Sequence, residues 1–392
     1  MTPPDLVLSH TALASGQPPL RLGFIGGALD SAVGYAHHTA ATMDRCWTVD
    51  AGAFSLHSEQ NAATAAAYGV PASRTHSDWR AMLQAEQGKL DALVVLTPTP
   101  THAEVVSAAL GAGYPVICEK ALATTSAEAR QIEAARNAAK GFLAVTYNYS
   151  GYPMVRQLRH MIRDGKLGRI LHFQAEMPQE GFIRTDPQGN KPKPQAWRLK
   201  DGSVPTIHLD LAVHLHHLIH TLTGLSPLEV VADQTSQGWF PGVIDDVMCL
   251  ARYQQDVRGH IWFSKSSLGH RNGLRLRLYG SKAAAEWFQM APEEVLISHA
   301  DGHREILDRA GDAPLAAQAR YTRFKAGHPA GFIEAFANLY RDIAGCLRQH
   351  QRGEAWQTED VYDARLAIEG LTMLEAMVKS ATSRQWEPTS RP

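Results

Sequence analysis

The chain has 392 residues, 44% of them hydrophobic and 20% charged, with a formal net charge of −1 and a pI near 7.0. That length implies two domains rather than one core, and near-neutrality leaves no global attraction to nucleic acid or membrane surfaces. No apolar run reaches the roughly 18 residues of a membrane span, and Cys46, Cys118, Cys249 and Cys346 are scattered too widely for a disulfide framework or a Cys-x-x-Cys metal motif.

Residues 1–20 lack the basic start and continuous apolar stretch of a signal peptide and read as a flexible tail, so a cytoplasmic location is expected. From Arg21 onward short apolar runs, "RLGFI", "TVDAGAF", "ALVVLT", "PVICEK" and "FLAVTY", alternate with alanine-rich helical segments. That rhythm predicts a parallel sheet covered on both faces, a Rossmann-type dinucleotide-binding domain over residues 21–148. Its first strand runs into "GFIGGALDSAVGYAHH". Gly26 and Gly27, with Ser31 in the same loop, sit where a backbone approaches a dinucleotide pyrophosphate. The spacing departs from G-x-G-x-x-G, and any doubly wound sheet has use for a glycine-rich turn there. The second strand ends near Ser55, with no acid until Glu59 to hold the adenine ribose. Absence of the acid leaves NADP open beside NAD, and the cofactor expected is NAD or NADP, with NAD ahead.

Beyond Tyr152 the rhythm changes. A proline-started helix, "PMVRQLRHMIRDG", precedes strand-like runs joined by short connections, and two helices close the chain. Residues 149–381 therefore read as a substrate-binding and oligomerisation α+β domain with an open, mostly antiparallel sheet, and 382–392 as a C-terminal tail. The irregular stretch from Pro178 to Pro205 is long enough to be functional.

Several motifs in series resemble the Gfo/Idh/MocA family of glucose–fructose oxidoreductase and inositol dehydrogenase. They are "LTPTPTHAEVV", "PVICEKALATT", "AVTYNYSGYPMVRQL" and "AWRLKDGSVPTIHLDLAVHLHHLIHTLTG". The resemblance runs from about Arg21 to about Arg348. It implies cofactor contacts from Thr97, Pro98, His102, Glu119 and Lys120, with Lys120 beside the reacting hydroxyl. It also maps Asp210 and His214 onto a catalytic pair. Ala121 stands where the family carries proline, which permits a different backbone geometry after Lys120.

The stretch "HLDLAVHLHHLIH" holds five histidines and Asp210. At about 100° per residue, Asp210, His214 and His217 share one side of a helix, while His216 and His220 fall on another. His208 lies before the helix proper. A zinc site on His216 and His220 lacks a third ligand, so no metal is expected. A carboxylate one turn before an imidazole orients it for proton transfer, although a packed, satisfied pair has the same spacing. With the resemblance, His214 is expected as acid/base, Asp210 as its holder and Lys120 as the assisting group. Asn148 is a further cofactor contact, and Tyr149, Trp197 and Arg198 are substrate contacts.

The function expected is NAD(P)-dependent hydride transfer at a secondary hydroxyl of a sugar, sugar derivative or cyclitol. Two rival readings stand beside it, the first on the same residues and the second motivated by Ala121 alone. One is a redox-neutral glycosidase or lyase that oxidises transiently, eliminates and re-reduces with retained NAD; Tyr147, Tyr149 or Tyr152 would serve as its base, and a uronate or sulfonated glycoside would suit the basic loop of Lys191, Lys193, Arg198 and Lys200. The other is a non-catalytic dinucleotide-binding sensor. Alternating apolar positions such as Ile261, Phe263, Leu274, Leu276 and Leu278 suit packing on a second copy, and a homo-oligomer, dimer or tetramer, is expected.

Overall fold

The structure is a computed structural model that describes residues 17–325, 327–356 and 358–389. Most of the stretch read as an N-terminal tail lies outside those residues. The chain parts into two compact units. Of the described residues, one unit comprises those up to Ala123, Arg130–Pro153 and those within 314–364; the other comprises Thr124–Ala129, Met154–Ala313 and those from Arg365 on.

In the first unit the apolar runs are strands: β1 (Leu20–Gly26), β2 (Trp47–Ala53), β3 (Ala92–Leu96), β4 (Val116–Glu119) and β5 (Leu143–Thr146). They form a parallel sheet in the order β2-β1-β3-β4-β5. β3, β4 and β5 are buried at every position. Burial on both faces explains why they read as continuous apolar runs rather than alternating ones. The helices between them are α1 (Gly34–Met43), α2 (Ser58–Tyr68), α3 (Trp79–Ala85), α4 (His102–Gly111) and α5 (Ser126–Ala139). A parallel bridge between Gly52 and Thr75 stands beside β2 where a further strand would lie. Strand order reverses between β1 and β3, and sheets of this kind take ligands in the crevice at that switch point.

The helix α8 (Phe332–Gln351) packs against α1. Its Phe336, Tyr340, Ile343 and Leu347 join Leu22, Phe24 and Trp47 in one buried cluster, and the Trp47 indole N–H donates to the Tyr340 carbonyl at 2.9 Å. Full burial of each such side chain contributes about 1.5–3 kcal/mol. Residues 314–364 were expected in the domain after 149; this apolar stripe makes them part of the first unit.

The second unit is built on a nine-stranded sheet. It contains β6 (Ile170–Pro178), β7 (Pro227–Thr235), β8 (Asp246–Tyr253), β9 (Arg258–Ser264), β10 (Arg275–Gly280), β11 (Ala283–Phe288), β12 (Glu294–His299), β13 (Arg304–Asp308) and β14 (Glu387–Pro388). The order is β13-β12-β11-β10-β6-β9-β8-β7-β14, antiparallel throughout except for the β6–β9 pair. Thus part of the stretch read as a C-terminal tail is a strand that pairs with β7. The helices α6 (Pro153–Arg163), α7 (Val213–Thr223) and α9 (Ala364–Ser383) complete the elements, and Gly224, at φ 69°, ends α7.

Before α7 the helix widens into a π turn over His208–Ala212. His208 therefore belongs to the helix rather than preceding it. The i→i+5 widening also takes Asp210 off the strict 3.6-residue period assumed from the sequence.

Candidate active site

In the first unit the glycines do steric work. Gly26 and Gly27 adopt φ of 81° and 76°, conformations open to glycine without strain. A Cβ on Gly26 would lie 2.8 Å from the Leu96 backbone, and one on Gly34 would lie 2.1 Å from the Gly27 carbonyl oxygen. The loop and the first turn of α1 are thus pressed together. The N-cap residue of α1, Val33, supplies no side-chain cap, and the first turn carries no acid, which leaves the positive end of the helix open to an anion. Ser31 Oγ accepts from the amides of Val33 and Gly34, each at 3.3 Å, and braces this loop.

At the end of β2, Ser55 Oγ donates to Gln60 Oε1 at 2.6 Å and accepts from the His57 amide. At the end of β3, Thr97 Oγ1 accepts from Thr101 at 2.8 Å. His102 is buried, with one ring nitrogen 2.8 Å from the Ala121 carbonyl and the other 2.7 Å from the Thr97 carbonyl. Burial lowers its pKa, against two carbonyls that favour the charged ring. Its ring ties the chain after β3 to the chain after β4, so the structure makes it a brace for those loops. The peptide between Lys120 and Ala121 is cis.

Beneath that turn lies a buried network that no spacing in the sequence reveals. Glu119 Oε1 accepts from Thr146 Oγ1 at 2.6 Å and from His37 Nε2 at 3.2 Å, and the Tyr340 hydroxyl donates to His37 Nδ1 at 2.7 Å. Burial opposes ionisation of Glu119, but hydrogen bonds from His37 and Thr146 and the nearby Lys120 charge hold its carboxyl below the usual range. Tyr147 is buried next to Cys118 and Glu119, which drives its hydroxyl pKa up and makes it a poor base. At the end of β5, Asn148 is buried, and its Nδ2 has no hydrogen-bond partner among the described residues. An orphaned amide donor, a glycine cradle and a helix start without an acid fit a bound dinucleotide.

In the second unit, His214 and His217 are buried on α7, and His217 Nε2 lies 3.4 Å from Thr221 Oγ1. Burial, with His214, His216, His220 and Arg159 nearby, keeps the His217 pKa well below its ordinary value. Asp210 projects from the π turn, and its Oδ2 takes two cations: Arg198 Nη1 at 2.8 Å and Lys265 Nζ at 2.5 Å. Arg198 also lies over the Trp197 ring at 4.5 Å, while the Trp197 indole donates to Gln195 Oε1. Lys191 lies 4.7 Å from the Trp239 ring centroid. With Arg198 committed to Asp210, the basic loop offers less to an anionic sugar than its composition suggests. His216 and His220 face Glu369, at 3.0 and 3.4 Å, and Ser226 donates to the other carboxylate oxygen at 2.6 Å. Among the described residues no group of three or more metal-ligating side chains is gathered to hold an ion. Nor is any helix among them long and apolar enough to cross a membrane.

Residues 20–147 match the oxidoreductase family with an NAD-binding Rossmann fold, and residues 155–286 match the GFO/IDH/MocA C-terminal domain. The chain is 31% identical over 373 residues to the oxidoreductase YfiI of Bacillus subtilis, covering 93% of this chain and 95% of that one. The chain belongs to the GFO/IDH/MocA family of oxidoreductases. Among solved structures, this GFO/IDH/MocA protein superposes on an inositol dehydrogenase homolog from Azotobacter vinelandii, complexed with NAD+, with a TM-score of 0.87. There it is 28% identical and covers 94% of this chain and 97% of the other. It is 25% identical over 262 residues to a levoglucosan dehydrogenase of Pseudarthrobacter phenanthrenivorans, across 60% of this chain and 63% of that enzyme. Residues 20–147, which carry the parallel sheet of the first unit, are accordingly the family's NAD-binding Rossmann domain, and the fold class expected from the sequence is the family fold.

Proposed function

We propose that this oxidoreductase catalyses NAD(P)-dependent hydride transfer at a secondary hydroxyl of a sugar or cyclitol, with His214 as acid/base and Lys120 assisting. The observation that carries the reading is the held carboxylate: Asp210, fixed by Arg198 and Lys265, precedes His214 on one continuous helix. Family membership supports the reaction class. The relatives named for inositol and levoglucosan support the substrate class.

NAD, when bound, supplies the hydride acceptor. Gly26, Gly27 and the start of α1 would hold its pyrophosphate by backbone amides, and Asn148 would donate an amide hydrogen bond. The chain's own part in the chemistry is proton handling. In the oxidative direction the neutral His214 imidazole removes the proton from the substrate hydroxyl oxygen, and in the reductive direction it returns that proton. Lys120, an ammonium donor, stabilises negative charge on that oxygen as it develops. A fixed Asp210 limits the orientations open to the imidazole and to substrate hydroxyls, which lowers the entropy still to be lost in the transition state.

The test is a panel of inositols, anhydrosugars, pentoses and hexoses with NAD or NADP, read as reduced cofactor formed. His214→Ala is expected to bind nucleotide normally and lose turnover by about 100-fold or more. Full turnover in that variant would refute the assignment. Glycoside cleavage with no net reduced cofactor would replace the dehydrogenase with a redox-neutral reaction.

A further inference from the structure

We infer that Lys265 is a positioning residue of the reaction, acting through Asp210; this rests on the reading above that Asp210 and His214 serve substrate. Lys265 follows the last residue of β9, with its side chain only 8% exposed and its Nζ 2.5 Å from Asp210 Oδ2. A buried lysine is retained where a partner compensates its charge, and here Asp210 does so. The same oxygen accepts Arg198 at 2.8 Å, so two cations from separate segments converge on one carboxylate atom and define where it points.

The lysine is itself held. Its backbone N–H donates to the Asp245 carbonyl at 2.7 Å, its carbonyl accepts the Phe182 amide at 2.8 Å, and its ammonium lies 5.0 Å from the Phe182 ring centroid. Asp245, fully buried, accepts the amides of Gln237 and Gly238 and the hydroxyl of Ser266. Asp201 accepts the amides of Thr206 and Ile244 and so ties the segment just before the π turn to the segment just before β8. Two aspartates staple the loops, the loops aim Lys265, and Lys265 with Arg198 aims Asp210. A side chain supported by packed, hydrogen-bonded neighbours keeps the angular precision that a catalytic group needs.

The charge arrangement predicts more than geometry. Removing the Lys265 cation leaves the Asp210 carboxylate less compensated, and a less compensated carboxylate one turn before the imidazole is expected to move the acid limb of the pH–rate profile to higher pH.

The experiment compares Lys265→Met, Lys265→Arg, Asp210→Asn and the double variant Asp210→Asn/Lys265→Met in the full-length protein. Readouts are kcat, KM, the pH profile of kcat/KM, and NAD affinity by intrinsic fluorescence. Lys265→Met is expected to lower kcat about 10- to 100-fold, shift the acid limb upward and leave NAD affinity within about twofold. Lys265→Arg restores the acid limb. In the Asp210→Asn background, adding Lys265→Met costs no more than about a further twofold, because the residue acts through the carboxylate. A full additional loss in that background overturns the inference, as does a wild-type kcat and profile in Lys265→Met. If Lys265→Met does not fold, the Arg variant and the charge-neutral double variant carry the same comparison. Failure of the broader reading looks different: Asp210→Asn then keeps full turnover.

Discussion

His208 makes the protein sensitive to acid in a way that one substitution isolates. The ring is fully buried in the π turn, stands edge-on to Phe263 at 5.1 Å between centroids, and has no hydrogen-bond partner for either nitrogen among the described residues. Burial holds its pKa down to about 3, from an ordinary 6.5. Below pH 6.5 the unfolded chain therefore binds a proton that the folded chain refuses. Stability from this site is intact above pH 6.5 and is lost at about 1.4 kcal/mol per pH unit as pH falls toward 3. Between pH 8 and pH 5 the loss is about 2 kcal/mol. His208→Leu keeps an apolar side chain against Phe263 and deletes the proton site, so it escapes that loss. With a urea slope of about 1–3 kcal/mol per molar, wild type should drop roughly 0.7–2 M further in midpoint than the variant over this range. The assay is urea unfolding of the apo protein at pH 8, 6.5 and 5, followed by tryptophan fluorescence. Parallel pH dependences in the two proteins would refute the reasoning.

Other expectations follow from neighbouring geometry. Gly34→Ala drives a Cβ to 2.1 Å from the Gly27 carbonyl and should weaken NAD binding at least tenfold by calorimetry, with unchanged affinity counting against the cradle. Ser55→Asp places an acid at the end of β2, where the proposed reading puts the ribose hydroxyls, and should shift preference toward NAD over NADP at least tenfold, measured as the ratio of dissociation constants. Glu369→Gln removes the carboxylate that receives His216, His220 and Ser226 and should cost about 1–3 kcal/mol at neutral pH. Burial opposes ionisation of Glu369, but its histidine and serine partners pull its pKa far down. The stability it contributes is thus present above the ordinary carboxyl range and lost as pH falls below it. The Gln variant should be flatter than wild type below pH 4.5 in the same urea series.

Much of the first unit was legible because its signals are local. Continuous apolar strands, alanine-rich helices and paired glycines each lie within a dozen residues. The division of the histidines of α7 into two groups was legible too, from helical periodicity alone. What escaped depends on contacts distant in the chain or on backbone irregularity. The π turn at His208–Ala212 has no marker in composition. Lys265 sits 55 residues from Asp210 and reads as an ordinary strand-end lysine in "WFSKSS". His102, expected as a cofactor contact after Thr97 and Pro98, also has its two ring nitrogens facing carbonyls of two separate loops, a bracing contact that the sequence does not mark. Helix α8 carries an apolar stripe that identifies it as packed, but nothing in the stripe says which sheet it covers. The partnership of Glu369 with His216 and His220 joins α7 to α9 across more than a hundred residues.

The proposed reaction is hydride transfer from a carbinol carbon with His214 handling the proton. The most direct measurement uses a turned-over sugar or cyclitol deuterated at the carbon under test, with mass analysis of the nicotinamide cofactor in wild type and in His214→Ala. Deuterium is expected on the reduced nicotinamide ring from wild type, one equivalent per substrate oxidised, with at least a 100-fold slower appearance in the variant and nucleotide affinity retained. Product formed with no deuterium on the cofactor, or equal rates in the two proteins, would contradict it.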